Sequence, residues 1–182
     1  MHKAVIFFIL FVSITSSFSS ASFADSDNYG MWCIEEYVDV FGDKTGETFV
    51  SNCEPIKGTL NNTAINVANL YVKFLIEGAD NIQIKLYEYD LKHPVVTNRF
   101  VVYNVFVKDK NGEKHDLYST NYSDRLTLLE SVSESLHNIL IKGGPVKFFI
   151  VERGNTATQY SFSITNTDFY ESAYDRLLLD KG

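Results

Sequence analysis

Two cysteines, three prolines, two methionines and one tryptophan are all that the 182 residues contain of these types. The cysteines are too few and too far from any histidine in sequence for a zinc-ligand spacing, and no two histidines supply one. Scarce proline and methionine beside eleven tyrosines and fourteen phenylalanines suit a β-rich chain whose aromatics fill a sheet interior. Basic residues are also in deficit, with 16 Lys and Arg against 23 Asp and Glu and a formal charge of −7. No basic run or face offsets that charge, so a phosphate backbone is repelled and nucleic acid is excluded as a partner. There is no Gly-x-Ser-x-Gly elbow to present a serine nucleophile. No linker, repeat or low-complexity stretch marks a second domain.

The one long apolar run, Ala4 to Ile14, spans about 11 residues where a membrane-crossing helix needs about 20. It follows His2 and Lys3 and leads through a Ser-rich stretch to Ser22-Phe23-Ala24, the layout of a secretory signal cleaved after Ala24. Residues 1–24 are thus expected to be a signal peptide and 25–182 one domain, secreted or periplasmic, without stable membrane insertion after cleavage. Loss of Lys3 takes the formal charge to −8. In an exported chain Cys33 and Cys53 are expected to pair, two free buried thiols being the alternative. A turn centred on Asp43 to Gly46 gives hairpin partners numbers that add to 89, whereas the cysteines add to 86. A bulge or longer loop has to absorb that offset.

Alternation of apolar and polar residues predicts strands at Trp32 to Val40, Thr48 to Cys53, Lys57 to Leu60, Leu70 to Glu77 and Ile82 to Tyr89. Further strands follow at Arg99 to Asp109, Lys114 to Thr120, Arg125 to Leu129, Val146 to Arg153 and Gln159 to Thr165. Arg99 to Asp109 is apolar on both faces and is expected centrally in a sheet, and Lys110-Asn111-Gly112-Glu113 after it is a strong hairpin signal. Ser131-Val132-Ser133-Glu134 has capping-box spacing at the start of a helix that Gly143-Gly144-Pro145 stops. From about Asp168 the period becomes helical. About nine or ten strands in hairpin order, one inserted helix and one C-terminal helix predict a mainly β fold, an antiparallel β-sandwich, with a closed barrel as the alternative.

Few residues suggest chemistry. Asp43-Lys44-Thr45-Gly46 matches the phosphorylated loop of P-type cation pumps, but its flanks differ and export removes ATP, so it reads as a turn. Asp39, Asp43 and Glu47 crowd carboxylates there without the EF-hand spacing, which reads as a solvated acidic turn rather than a Ca²⁺ site. His115, beside Asp116, and His137, expected to be partly exposed on the inserted helix, are the residues a small secreted hydrolase or transferase would use. Asn61 and Asn121 each begin a glycosylation triplet. Tyr87, Tyr89, Tyr103, Tyr118 and Tyr122 fall on or beside successive strands and, if outward together, form an amphipathic contact surface. No catalytic residue, cofactor site or metal site is assigned.

Trp32, Glu36 to Glu47, Gly58-Thr59-Leu60, Leu86-Tyr87-Glu88-Tyr89, Asp124-Arg125-Leu126 and Lys142 to Phe148 together resemble a family of uncharacterised exported bacterial proteins. The second half, with Ser163-Ile164 leading to Phe169-Tyr170-Glu171-Ser172-Ala173-Tyr174, is similar to the invasion-associated locus B family of periplasmic proteins. Both resemblances imply an exported β-sandwich and bring no catalytic residues. The functional expectation is a binding or envelope-associated protein without catalytic activity, whose partner is an unknown protein or envelope ligand.

Overall fold

The computed structural model describes residues 29–64, 66–95 and 100–181; the expected signal peptide, residues 1–24, lies outside them. The strands are β1 (Trp32–Val38), β2 (Lys44–Asn52), β3 (Ile56–Asn61), β4 (Ala68–Gly78), β5 (Asn81–Glu88), β6 (Val102–Lys108), β7 (Lys114–Tyr122), β8 (Arg125–Leu128), β9 (Val146–Glu152) and β10 (Asn155–Ile164). Helix α1 (Glu130–Ile141) joins β8 to β9, and α2 (Tyr170–Lys181) follows β10.

The strands form one sheet, in the order β1-β2-β4-β3-β10-β9-β6-β7-β8-β5, and β5 also pairs with β4. That last pairing closes eight antiparallel strands into a barrel and leaves β1 and β2 as an appended hairpin. The expected sandwich is therefore corrected to a barrel. A sandwich leaves unpaired edges on two sheets, whereas β5 here bonds β8 on one side and β4 on the other, which removes the edge. One edge of β4 is shared: Ala68 to Val72 pair with β3, and Ile76 pairs with Val50 of β2. Strand order of this kind depends on pairings between residues far apart in sequence, which alternation within a strand does not specify.

Inward residues follow the two-residue period. Leu70, Val72, Phe74 and Ile76 of β4 and Ile82, Ile84 and Leu86 of β5 are buried, as expected of half-buried strands. The barrel is filled rather than hollow: Phe148 stacks on Phe162 at 4.6 Å between ring centroids, and Phe74 lies against both rings. The apolar stripe of α1 (Val132, Leu136, Ile139, Leu140) and the buried face of α2 (Tyr170, Ala173, Leu177) join the same core. Trp32 anchors the hairpin to it, edge-on to Tyr170 and to Phe74.

Several local expectations change. The first turn is at Asp39 to Asp43, not Asp43 to Gly46, because the Asp39 carboxylate accepts from the N–H groups of Phe41 and Asp43 and fixes the chain there. Gly46 instead lies within β2 with φ +82°, opposite the register shift between Glu36 and Val38. At the start of α1 the capping box does not form. Leu129 is the N-cap without a side-chain bond, and Ser133 ties the helix to the barrel, donating to the Leu128 carbonyl and accepting from the Ile82 N–H. Gly143, with φ +71°, stops the helix as expected. The strand expected from Arg99 begins at Val102, and Arg99 itself lies outside the described residues.

Candidate functional site

The sequence-nominated histidines sit in structural roles. His137 is 8 % exposed, not partly exposed as expected, and its Nδ1 lies 2.8 Å from the Tyr170 hydroxyl. Its ring is also edge-on to Tyr174. Burial holds the imidazole below its ordinary pKa and pushes the Tyr170 phenol up. His115 Nε2 lies 3.4 Å from Asp109 Oδ2. Burial raises the Asp109 carboxyl, but the Glu113 N–H, His115 and the Asn111 N–H outweigh it and hold the group below the usual carboxylate range. Asp109, Glu113 and His115 are close enough together to reach one cation. However, Asp109 Oδ1 is already committed to the N–H groups of Asn111 and Glu113, so the cluster reads as turn chemistry. Among the described residues, no serine or threonine hydroxyl bonds either histidine.

The pump-like tetrapeptide also has local roles. Asp43 closes the turn through its carbonyl, Lys44 pairs with Glu36 at 3.1 Å, and Thr45 donates to the Tyr37 carbonyl. The Glu36 carboxyl is held low by the Lys44 hydrogen bond and then by the Gly46 N–H. Of the glycosylation candidates, Asn61 is exposed at the end of β3, while the Asn121 side chain accepts from the Val101 N–H.

The five tyrosines do not form one surface. Tyr103 is 6 % exposed and faces inward, opposite Ser119. Tyr118 and Tyr122 are exposed on β7, whereas Tyr87 and Tyr89 lie on and after β5, with β8 between. Tyr118 is the member next to a different feature: across β6 and β9 the outer face carries Phe106 stacked on Phe149 at 6.0 Å.

Beside that stack runs a row of lysines. Lys108 pairs in register with Lys114 of β7 and with Lys147 of β9, so all three side chains leave the same face. At about 4.8 Å per strand, three ammonium stems stand within about 10 Å. All three are exposed, and among the described residues none has an ion pair or side-chain hydrogen bond. Phe106, Phe149 and the three lysines, with Asp116, line a shallow cleft over the barrel wall. Like charges placed directly opposite each other destabilise a sheet, so the row is costly to the fold and suited to an anionic, partly apolar partner.

This shelf was not visible in the sequence, and it corrects the expectation that the chain has no basic face. Phe106 alternates correctly with Val105 and Val107, but Lys108, Lys114 and Lys147 become neighbours only through two strand pairings, one of them between strands separated by α1. The nearest signal was the presence of phenylalanine at outward parity.

Among the described residues, no helix is long and apolar enough to cross a membrane. Comparison with protein-family profiles, curated proteins and solved structures finds no match.

Proposed function

We propose that this is a secreted or periplasmic binding protein, associated with the cell envelope, that holds an acidic partner on the outer wall of β7, β6 and β9. The observation that carries the reading is the Phe106–Phe149 stack bordered by three unpaired lysines in a chain of net charge −7. In such a chain a cationic face is a local exception, and it steers an anionic partner to one place. The aromatic pair then supplies apolar contact area of the kind enriched in interfaces. The Cys33–Cys53 disulfide supports an oxidising compartment, and so does the leader pattern of residues 1–24.

The test is a pull-down from envelope extract by the exported, disulfide-intact protein and by its Lys108→Glu/Lys147→Glu variant. Partners captured by the first and lost by the second support the reading. Identical captured sets rule it out.

A further inference from the structure

The two hairpins that end in Asp-x-x-Gly turns share one backbone design and differ in what it displays. In Asp39-Val40-Phe41-Gly42-Asp43 the Asp39 N–H donates to the Asp43 carbonyl and the Gly42 N–H to the Asp39 carbonyl. In Asp109-Lys110-Asn111-Gly112-Glu113 the same two bonds recur, from Asp109 to Glu113 and from Gly112 to Asp109. In both, the leading carboxylate accepts two N–H groups, and the glycine has φ above +80°. The central pair is therefore free to be polar, as Lys110-Asn111 shows. In the first hairpin it is Val40-Phe41, 92 % and 87 % exposed, with Val38 at 61 % below it.

That tip stands away from the barrel. β2 touches β4 through the Val50–Ile76 pairing, and its first four residues, Lys44 to Glu47, are exposed. Tyr37 ties the hairpin to the end of β4 by donating to Glu77, and Glu47 lies beside the end of α2; from Glu47 to Asp43 the free arm is roughly 14 Å long at about 3.4 Å per residue. Its charges are acidic: Asp39 and Asp43 flank the apolar pair, Lys44 behind them is bound to Glu36, and Glu47 lies further down the arm beside Lys181 of α2.

We infer that the occupant of the Phe106–Phe149 shelf is the Val40-Phe41 hairpin tip of a second copy of this chain. This rests on the shelf reading above and names its partner. The tip is apolar and acid-rimmed; the shelf is apolar and lysine-rimmed, so shape-independent complementarity holds in both charge and polarity. A tip does not reach the shelf of its own chain, because β2 adjoins β4 whereas β6 and β9 lie across the barrel. The contact is heterologous: every copy offers one tip and one shelf, and the assembly grows head to tail into chains or a ring. A tip-sized contact lies at the small end of interfaces, so association is weak and concentration-dependent.

Sedimentation velocity of the exported, disulfide-intact protein from about 10 µM to about 1 mM tests this. The expected result is a mass that rises with concentration and falls back in about 0.5 M salt, where the Debye length is about 4 Å. Val40→Lys/Phe41→Asn, which borrows the residues of the second turn and so keeps the hairpin foldable, is expected to be monomeric. Lys108→Glu/Lys147→Glu is expected to be monomeric too. Mixed one to one, the two variants regain a single contact and form dimers and nothing larger. A wild-type protein that stays monomeric throughout, or a mixture that stays monomeric, overturns the self-docking inference. If the shelf variant in that case still loses an envelope partner, the broader reading stands. If it keeps every partner, both fall.

Discussion

Cys33 and Cys53 are bridged across a diagonal: Cys33 faces Ser51 in the β1–β2 ladder, yet its sulfur joins Cys53, two residues beyond, at a Cα separation of 5.1 Å. The ladder partners add to 84 rather than 89, so the bridge lies on the opposite side of the register from that expected. β2 ends at Asn52 and the chain bends before Pro55, which brings Cys53 under Met31, whose carbonyl accepts the Cys53 N–H. A diagonal of about 7 Å in a flat ladder is shortened by that bend.

The bridge closes a loop across a sequence separation of 20. Cys33→Ser/Cys53→Ser is expected to lower unfolding stability by about 3 kcal/mol, read as a lower urea midpoint with a steeper slope because the unfolded chain loses a cross-link. An unchanged midpoint would show that Trp32 and the Val50–Ile76 pairing hold the hairpin without the bridge.

Gly58 marks where β3 and β10 pack most closely. A Cβ there would sit 2.4 Å from the Ser161 carbonyl oxygen and 2.8 Å from Phe162 Cβ, both on the paired strand. Gly58→Ala is expected to cost about 1–3 kcal/mol through overpacking against backbone that has nowhere to move. Gly154→Ala, in the open β9–β10 turn, is the contrast: it is strained by a φ of +82° but meets no atom. A wild-type midpoint for Gly58→Ala would contradict the close approach.

Ser119 is fully buried on the inner face, and its hydroxyl has no hydrogen-bond partner. A buried unpaired hydroxyl is costly, so Ser119→Ala is expected to stabilise the barrel by about 1 kcal/mol. Thermal unfolding shows it as a higher midpoint, and a lower one would mean that the hydroxyl is satisfied.

His137 makes stability fall on mild acidification. Its folded pKa is depressed by burial, so the unfolded chain takes up a proton first as pH falls through about 6.5. Its contribution is full above that pH and is lost between the unfolded and the folded value. Asp90, Asp109 and Asp124 are also held low, but their windows open below about pH 4. Comparing wild type with His137→Gln from pH 7.5 to 5 should show the slope flattened in the variant; an equal slope would remove His137 as its cause.

Element positions were largely legible because burial on one face writes itself into alternation. Leu70, Val72, Phe74 and Ile76 name β4 without help, and Gly143-Gly144-Pro145 ends α1 for reasons confined to those residues. The turn at Asp39 was misplaced because two carboxylates, Asp39 and Asp43, both begin plausible turns, and the deciding bonds run from the Asp39 side chain. His137 was misjudged because its burial comes from Tyr170 and Tyr174, on a helix 33 or more residues away.

The sequence by itself determined most strand positions, both helices and the acidic balance, and it favoured the pairing of two lone cysteines over free thiols, since each follows from local periodicity or composition. Closure of the barrel, the diagonal of the disulfide and the meeting of Lys108 with Lys114 and Lys147 beside Phe106 were decided only in three dimensions. Those relationships depend on which strand lies beside which, and in this chain β5 and β8, β6 and β9, and β3 and β10 are joined by backbone bonds that no single strand specifies.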